Sequence, residues 1–373
     1  MPRLVLEQAL PAPAAAVWPL LVVPDEMSAW SKARVTGVAR GDGGGFDGVG
    51  ATRKITVHTA AGRRSFDEVV VESEPPRRLV YRVFRGLPTR DHEGTISLRD
   101  TERGSRLRWD VDFSFWLPGG ASAARLIEAQ LRESLATLSD VARAARPAPF
   151  DARVFAPDDL APLRAAAEAT LADQRALVEE LAGDRKRWFA QVYEYVTEGL
   201  LALVDAGGAR HPGWVLRLIP VFHRYYVDNL RAWRDGGEVE EPWARALRVM
   251  DSGDDFTAVV GGLMRGVRAH IEEDLPRALA SVWFVNYRER CDYARFRGDY
   301  LGLAPVFRRA ADRMLDALPR DMVPRSVRLV RRAAPPEVPD ALLNRRVYDV
   351  PTRRLRAFER GGRVARLLVE HAR

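Results

Sequence analysis

Between Ser105 and Phe115 the chain alternates strictly, with Leu107, Trp109, Val111, Phe113 and Phe115 on one side and Arg106, Arg108, Asp110, Asp112 and Ser114 on the other. Successive side chains of a strand point to opposite faces, so this pattern predicts a strand of antiparallel sheet with one face on a core and one in water. The stretch before it repeats the theme, with His92, Ile96 and Leu98 facing one way and Asp91, Glu93, Thr95 and Ser97 the other. Residues 100–104 read as the hairpin joining the two, because Gly104 can take a positive φ. Further strands are expected at 3–9, 51–59, 65–72 and 78–85, with Glu74-Pro75-Pro76 turning the chain before the last of them.

After Gly119 the period changes. From 122 to 144 the apolar residues Leu126, Ile127, Leu131, Leu135, Leu138 and Val141 recur at three- and four-residue spacing, so one helical face must pack on something apolar, and the sheet is the obvious partner. Arg146-Pro-Ala-Pro149 then reads as a linker. Beyond Phe150 the signal is helical, at about 157–181, 185–204, 213–234, 242–250, 256–274 and 293–317. Asp158 or Asp159 can cap the first helix, and Gly236-Gly237 ends the third. Trp188, Phe189, Val192, Tyr193, Val196, Leu200 and Leu203 give the second a broad apolar stripe, as in a bundle with its own core. The expected fold class is therefore α+β, a curved antiparallel sheet around a long helix followed by an all-α domain. The boundaries are 1–146 for the first domain, 147–154 for the linker, 155–318 for the helical domain and 319–373 for a tail.

The first domain resembles the START-like superfamily, also called SRPBCC, which includes polyketide cyclases and lipid-transfer proteins. The likeness over residues 1–146 rests on Ala16-Val-Trp18, Trp30 in Met27-Ser-Ala-Trp30, Gly48-Val-Gly50, the run from Glu72 to Tyr81, Glu93-Gly94-Thr95, and the run from Gly104 to Trp109. It implies a helix-grip fold with a cavity between sheet and helix for a lipid or polyketide-like molecule. Candidate cavity walls are Trp30, Tyr81, His92, Trp109, Phe113 and Phe115, since large aromatics with one polar tip suit an apolar pocket that orients its guest by a few hydrogen bonds. The plainer alternative is that they fill the core. His92 stands out, because the alternation puts an imidazole among apolar neighbours. It is either a general base for aldol-type cyclisation or a satisfied core histidine.

In the helical half, His270 and Asp274 stand four residues apart, on one helix face. With His223 from a neighbouring helix they form a candidate set of three ligands for Zn or Fe, with Glu273 as general base beside it, the arrangement of a metal-dependent hydrolase. Against this, a His and an Asp at that spacing also make an ordinary hydrogen bond or cap, and Leu275-Pro276 marks a bend or restart. Residues 155–318 resemble a bacterial family, known mainly from actinobacteria, with no established activity. The shared signature is Phe189-Ala-Gln-Val-Tyr193 with Val196-Thr197, Phe222-His-Arg-Tyr-Tyr226, the run from Ala269 to Leu279, and Asp299-Tyr300. Members of that family usually have Asn where this chain has Glu272. The likeness implies an all-α fold and draws attention to His270 and Asp274; it implies no reaction.

The composition leaves this picture standing. With 373 residues, 47% of them hydrophobic, the chain has length and apolar content for about two domains. A single cysteine, Cys291, cannot form an internal disulfide. An uncharged run from Ala9 to Pro24 is broken by four prolines and preceded only by Arg3, unlike an export signal, and no run reaches the roughly 20 apolar residues of a membrane span. A cytoplasmic protein is expected. The formal net charge is +7, and residues 321–373 hold 13 Arg against 6 acidic residues, so the surplus lies wholly in the tail. Only Lys32, Lys54 and Lys186 are lysine, a bias that points to coding composition rather than nucleic acid. Leu355, Phe358, Val364 and Leu367 predict a short amphipathic helix in the tail, which packs on the bundle or meets an anionic membrane surface. Gly41-Asp-Gly-Gly-Gly45 lacks the lysine and spacing of a phosphate cradle and reads as a flexible loop near the cavity mouth. Three functions remain: binding of a hydrophobic or aromatic small molecule, enzymatic cyclisation or hydrolysis, and an interaction role for the tail.

Overall fold

The computed structural model describes residues 3–59, 62–87, 89–115, 120–150, 155–253, 256–319, 323, 325 and 350–372. They fall into two compact units, Met1–Ala156 with Arg290–Gly298, and Pro157–Glu289 with Asp299–Arg373.

The first unit is a seven-stranded antiparallel sheet with three helices. Its strands are β1 (Arg3–Leu10), β2 (Arg34–Ala39), β3 (Thr52–Thr59), β4 (Gly62–Glu74), β5 (Arg78–Arg85), β6 (Thr89–Thr101) and β7 (Gly104–Phe115), in the order β1-β7-β6-β5-β4-β3-β2. The short helices α1 (Ala14–Val22) and α2 (Pro24–Trp30) connect β1 to β2, and the long helix α3 (Gly120–Ala142) follows β7. The alternation of β7 holds: Leu107, Trp109, Val111 and Phe113 are buried. Leu107 lies opposite Leu98, Trp109 opposite Ile96 and Phe113 opposite His92, so the two predicted strands share one apolar face. Leu135, Leu138 and Ala142 of α3 join that face in a single core with Leu6, Leu79 and Ile96. Each leucine or isoleucine so removed from water contributes about 1.5–3 kcal/mol.

Two expectations fail here. β2 went unread, because only Val35 of its six residues is buried and an edge strand carries little periodic signal. Leu126, placed on the packing face of α3, is 60% exposed, and the packed stripe instead runs from Ala124 through the partly buried Ile127 and Leu131 to Leu135 and Leu138.

The 290–298 segment, expected to belong to the helical half, is a clasp on the first unit. It holds the buried Cys291, whose thiol burial pushes up to about 12, and runs through a 3-10 turn at Tyr293–Phe296. Asp42 receives it: its carboxylate accepts from the Asp292 amide at 2.8 Å and from the Arg295 guanidinium at 2.7 Å, while Asp292 accepts from the Gly43 amide at 2.8 Å. Arg297 donates to the carbonyls of Arg40 and Gly50. The glycine run is thus not a loose loop. A Cβ on Gly50, whose φ is +86°, would collide with the Ala294 carbonyl, so the close approach requires glycine.

The second unit is all helical, with α4 (Leu160–Glu180), α5 (Arg187–Asp205), α6 (Pro212–Asp235), α7 (Glu241–Met250), α8 (Phe256–Ala269), α9 (Leu275–Asn286), α10 (Arg297–Gly302), α11 (Ala304–Ala317) and α12 (Val350–His371). α10 begins in the clasp and crosses into this unit. Asp159 caps α4 by accepting from the Ala161 amide, and Gly236 closes α6 in the left-handed conformation. Between α8 and α9 the chain makes a π-helical turn, His270–Asp274, where a bend was expected. Pro276 has no N–H to offer the Glu272 carbonyl, which instead accepts from Arg360 of α12 at 2.6 Å.

The tail helix is longer than expected. It runs through Gly361-Gly362 unbroken, with Ala357, Phe358 and Ala365 buried, whereas Leu367, assigned to its apolar face, is 53% exposed. Arg353 and Arg360 pair with Glu272 and Glu273, so part of the tail's positive charge is spent inside the helical unit rather than on an outside surface. The prolines at 335, 336 and 339 lie outside the described residues.

Candidate functional site

On the inner face of the first unit, four of the six predicted wall residues form a continuous chain of contacts. Trp30 ends α2, buried, with its indole N–H donating to the Leu20 carbonyl at 2.7 Å. Its ring meets that of Trp109 edge to face, 6.3 Å between centroids. The Trp109 N–H donates to the Tyr81 hydroxyl at 3.1 Å, and the Tyr81 ring lies 5.9 Å from the His92 ring. Phe113, the fifth, sits across from His92 in the β6–β7 register and is 2% exposed. The side chain of Phe115 lies outside the described residues.

Local sequence explains how Tyr81 comes to lie there. Tyr81 pairs with Gly94 across the β5–β6 ladder, and a Cβ at Gly94 would overlap the phenol ring. The glycine leaves the backbone of β6 bare, and the ring lies across it.

His92 keeps one polar atom unanswered. Its Nδ1 is buried and has no hydrogen-bond partner. Desolvation lowers the imidazole to about 4, against smaller opposing pulls from the backbone of His92 itself and then from Glu93, so the ring is neutral at pH 7.

Sequence reasoning missed the most polar part of this face. Arg53 and Glu68 are both buried and form an ion pair at 2.8 Å across the β3–β4 ladder. Arg53 also donates to the Leu21 carbonyl at 3.3 Å and meets the Met27 sulfur at 3.2 Å. Burial raises the Glu68 carboxyl, with Arg53 pulling the other way, and burial followed by the Glu68 charge raises the Tyr81 phenol. The signal was available in the alternation: Arg53 shares its strand face with Ile55, and Glu68 shares its own with Val70.

The helical unit has a second polar centre. His270 Nδ1 lies 2.7 Å from Asp274 Oδ2, as the four-residue spacing predicted. The same oxygen accepts from the Trp243 N–H at 2.9 Å, and Oδ1 accepts from Arg277 at 2.6 Å. Phe222 stacks on the imidazole at 3.5 Å. Desolvation lowers the His270 pKa despite Asp274, and its Nε2 is buried without a partner.

The predicted metal set does not fit this geometry. Asp274 has both oxygens engaged by protein donors, and His223 turns its Nδ1 to Gln174 at 3.3 Å. Glu273, the candidate base, pairs with Arg360. Among the described residues no group of three or more His, Cys, Asp or Glu side chains is arranged to hold a metal ion. His211, the third imidazole near the bundle, is bound to Asp299 at 2.7 Å, and Asp299 also accepts the amides of Arg210 and His211 at the start of α6.

Among the described residues no helix is long and apolar enough to cross a membrane. Comparison with solved structures returns neighbours of low identity. A START superfamily protein from Mycobacterium smegmatis is 14% identical, covering 38% of this chain and 97% of its own, with a TM-score of 0.34. A protein from Mesorhizobium loti is 19% identical over 38% of this chain and 98% of its own, with a TM-score of 0.31. One from Thermus thermophilus is 17% identical over the same shares, also with a TM-score of 0.31. No curated protein matches the chain. The chain joins a segment matching the polyketide cyclase/dehydrase and lipid transport family, residues 1–143, to one matching a family of unknown function (DUF5995), residues 167–347.

Proposed function

We propose that the first unit binds a hydrophobic or aromatic small molecule between the sheet and α3, with His92 and Tyr81 orienting its polar end. The START-like fold is consistent with hydrophobic ligand binding in general. The observation that carries the finer reading is the buried, unpartnered Nδ1 of His92, whose ring lies beside that of Tyr81 among the aromatic wall residues. A buried polar atom left without a partner costs about 1–3 kcal/mol, a cost that a ligand hydroxyl or carbonyl placed there would relieve.

An imidazole lowered to about 4 accepts or donates a hydrogen bond well but is a weak base for removing a proton from carbon. This favours orientation of a guest over cyclase chemistry at His92.

The test is to denature the purified full chain, identify any released small molecule by mass spectrometry, and titrate the protein with an anilinonaphthalene sulfonate probe while following tryptophan emission. Binding should quench Trp30 and Trp109, and His92→Phe should weaken retention of the released molecule about tenfold, the loss of one hydrogen bond. A protein that releases nothing and leaves the probe free would sink the reading.

A further inference from the structure

The helical unit contains a cavity of about 20 Å³, room for one water-sized occupant. Its walls are mostly aliphatic and aromatic, and its polar side chains other than Tyr300 are Tyr193, Thr197 and Arg354. None of the lining residues is acidic.

Arg354 is the unusual member. It is 4% exposed, yet among the described residues no carboxylate is paired with it. One guanidinium nitrogen donates to the Tyr300 carbonyl at 2.8 Å, and the group lies over the rings of Phe307 and Tyr300 at 4.2 and 4.7 Å. These contacts soften the burial of a cation but supply no counter-charge. Its Nε–H has no partner. Two more donors on the same walls are unanswered, the Tyr193 hydroxyl and the Thr197 hydroxyl, with the parent residues 5% and 1% exposed. Burial depresses the arginine pKa, with Tyr300 alone opposing it, but a guanidinium stays protonated in proteins, so the charge remains.

We propose that this cavity is a binding site for one small monovalent anion, held by Arg354 with the hydroxyls of Tyr193 and Thr197. Three unmatched donors, one of them cationic, call for an acceptor with negative charge. The volume limits that acceptor to an ion of about one to a few heavy atoms, a halide or a carboxylate as small as formate. The apolar remainder of the wall suits a weakly hydrated ion, and a metal cation finds no ligand there. The site lies wholly in the helical unit and does not depend on ligand binding by the first.

The experiment uses the full chain. Its thermal transition is followed at fixed ionic strength while sodium gluconate is exchanged for sodium bromide or sodium formate, and crystals grown in bromide are measured at the bromine edge. The expected result is a saturable rise in the transition temperature and an anomalous peak beside Arg354. The Tyr193→Phe/Thr197→Val double variant should raise the half-saturating bromide concentration about tenfold or more, as loss of hydrogen bonds to a charged group does. Arg354→Met should remove the dependence; if that variant does not fold, the double variant carries the test alone. A larger effect of formate than of bromide identifies a carboxylate site, and the reverse a halide site. An identical transition in all three salts, a bromide dependence unchanged in the double variant, or crystals with no bromide in the cavity would each overturn the proposal.

Discussion

Asp42 and Arg295 lie 253 positions apart in sequence and 2.7 Å apart in the fold. Both side chains are largely withdrawn from water, at 4% and 13% exposure, and the Asp42 carboxylate also holds the Asp292 amide. The first unit is therefore completed by residues that the chain supplies only after most of the helical unit has been made.

Asp42→Ala leaves a guanidinium and an amide without their acceptor. The first unit should lose about 3 kcal/mol, the usual consequence of removing one member of a buried pair. Urea unfolding followed by tryptophan emission measures it. The fragment ending at Ala156, which lacks the clasp, should show a comparable or larger loss. A fragment as stable as the intact unit would mean that the clasp contributes nothing.

His92 makes the first unit sensitive to acid, and the sign follows from its environment. The folded imidazole titrates near 4 and the unfolded one near its ordinary 6.5, so between these values the unfolded chain binds the extra proton. The contribution is fully present above pH 6.5 and is lost as the pH falls toward 4, amounting to roughly 3 kcal/mol at most, at 1.36 kcal/mol per pH unit. His223, lowered to about 4 by burial and by His270, works in the same direction in the helical unit. The informative measurement is thus the difference between wild type and His92→Phe, whose stability should fall less steeply from pH 6.5 to 4. Parallel profiles would show that His92 is already solvated in the fold.

Asp274 organises the centre of the helical unit by holding His270, Trp243 and Arg277 together. Asp274→Ala strands His270 and Trp243, while Arg277 keeps its pair with Glu240, and should cost about 3–5 kcal/mol. Because the geometry does not fit a metal, chelation should leave the wild-type transition unmoved. Stoichiometric zinc or iron in the purified protein, lost in His270→Ala, would overturn that reading of the site.

Local pattern was enough for most of the elements and for much of the candidate site, though β2 and α9 went unread. The period-two run into Phe113 and the shift to a helical period after Gly119 fix which elements form, because burial of one face is a property of each segment alone. For the same reason Trp109, Tyr81 and His92 were readable as neighbours on one face. Arg53 and Glu68 were legible in the same alternation but needed each other: a charged residue on an apolar face makes sense only when its partner strand is known. Tyr193 fell on an apolar stripe, with Thr197 four residues on, and nothing local distinguishes a hydroxyl that meets a cavity from one that is satisfied.

What the sequence by itself determined is the order and type of most elements, the two fold classes along the chain, and the four-residue spacing that joins His270 to Asp274. Tertiary structure alone decided that Arg290–Gly298 belongs with the sheet, that Asp274 is already engaged by protein donors, and that the tail arginines Arg353, Arg354 and Arg360 turn into the bundle. The physical reason is the same in each case. Periodicity records whether a side chain is buried, whereas the partner of a buried charge is chosen by contacts between segments far apart in the chain.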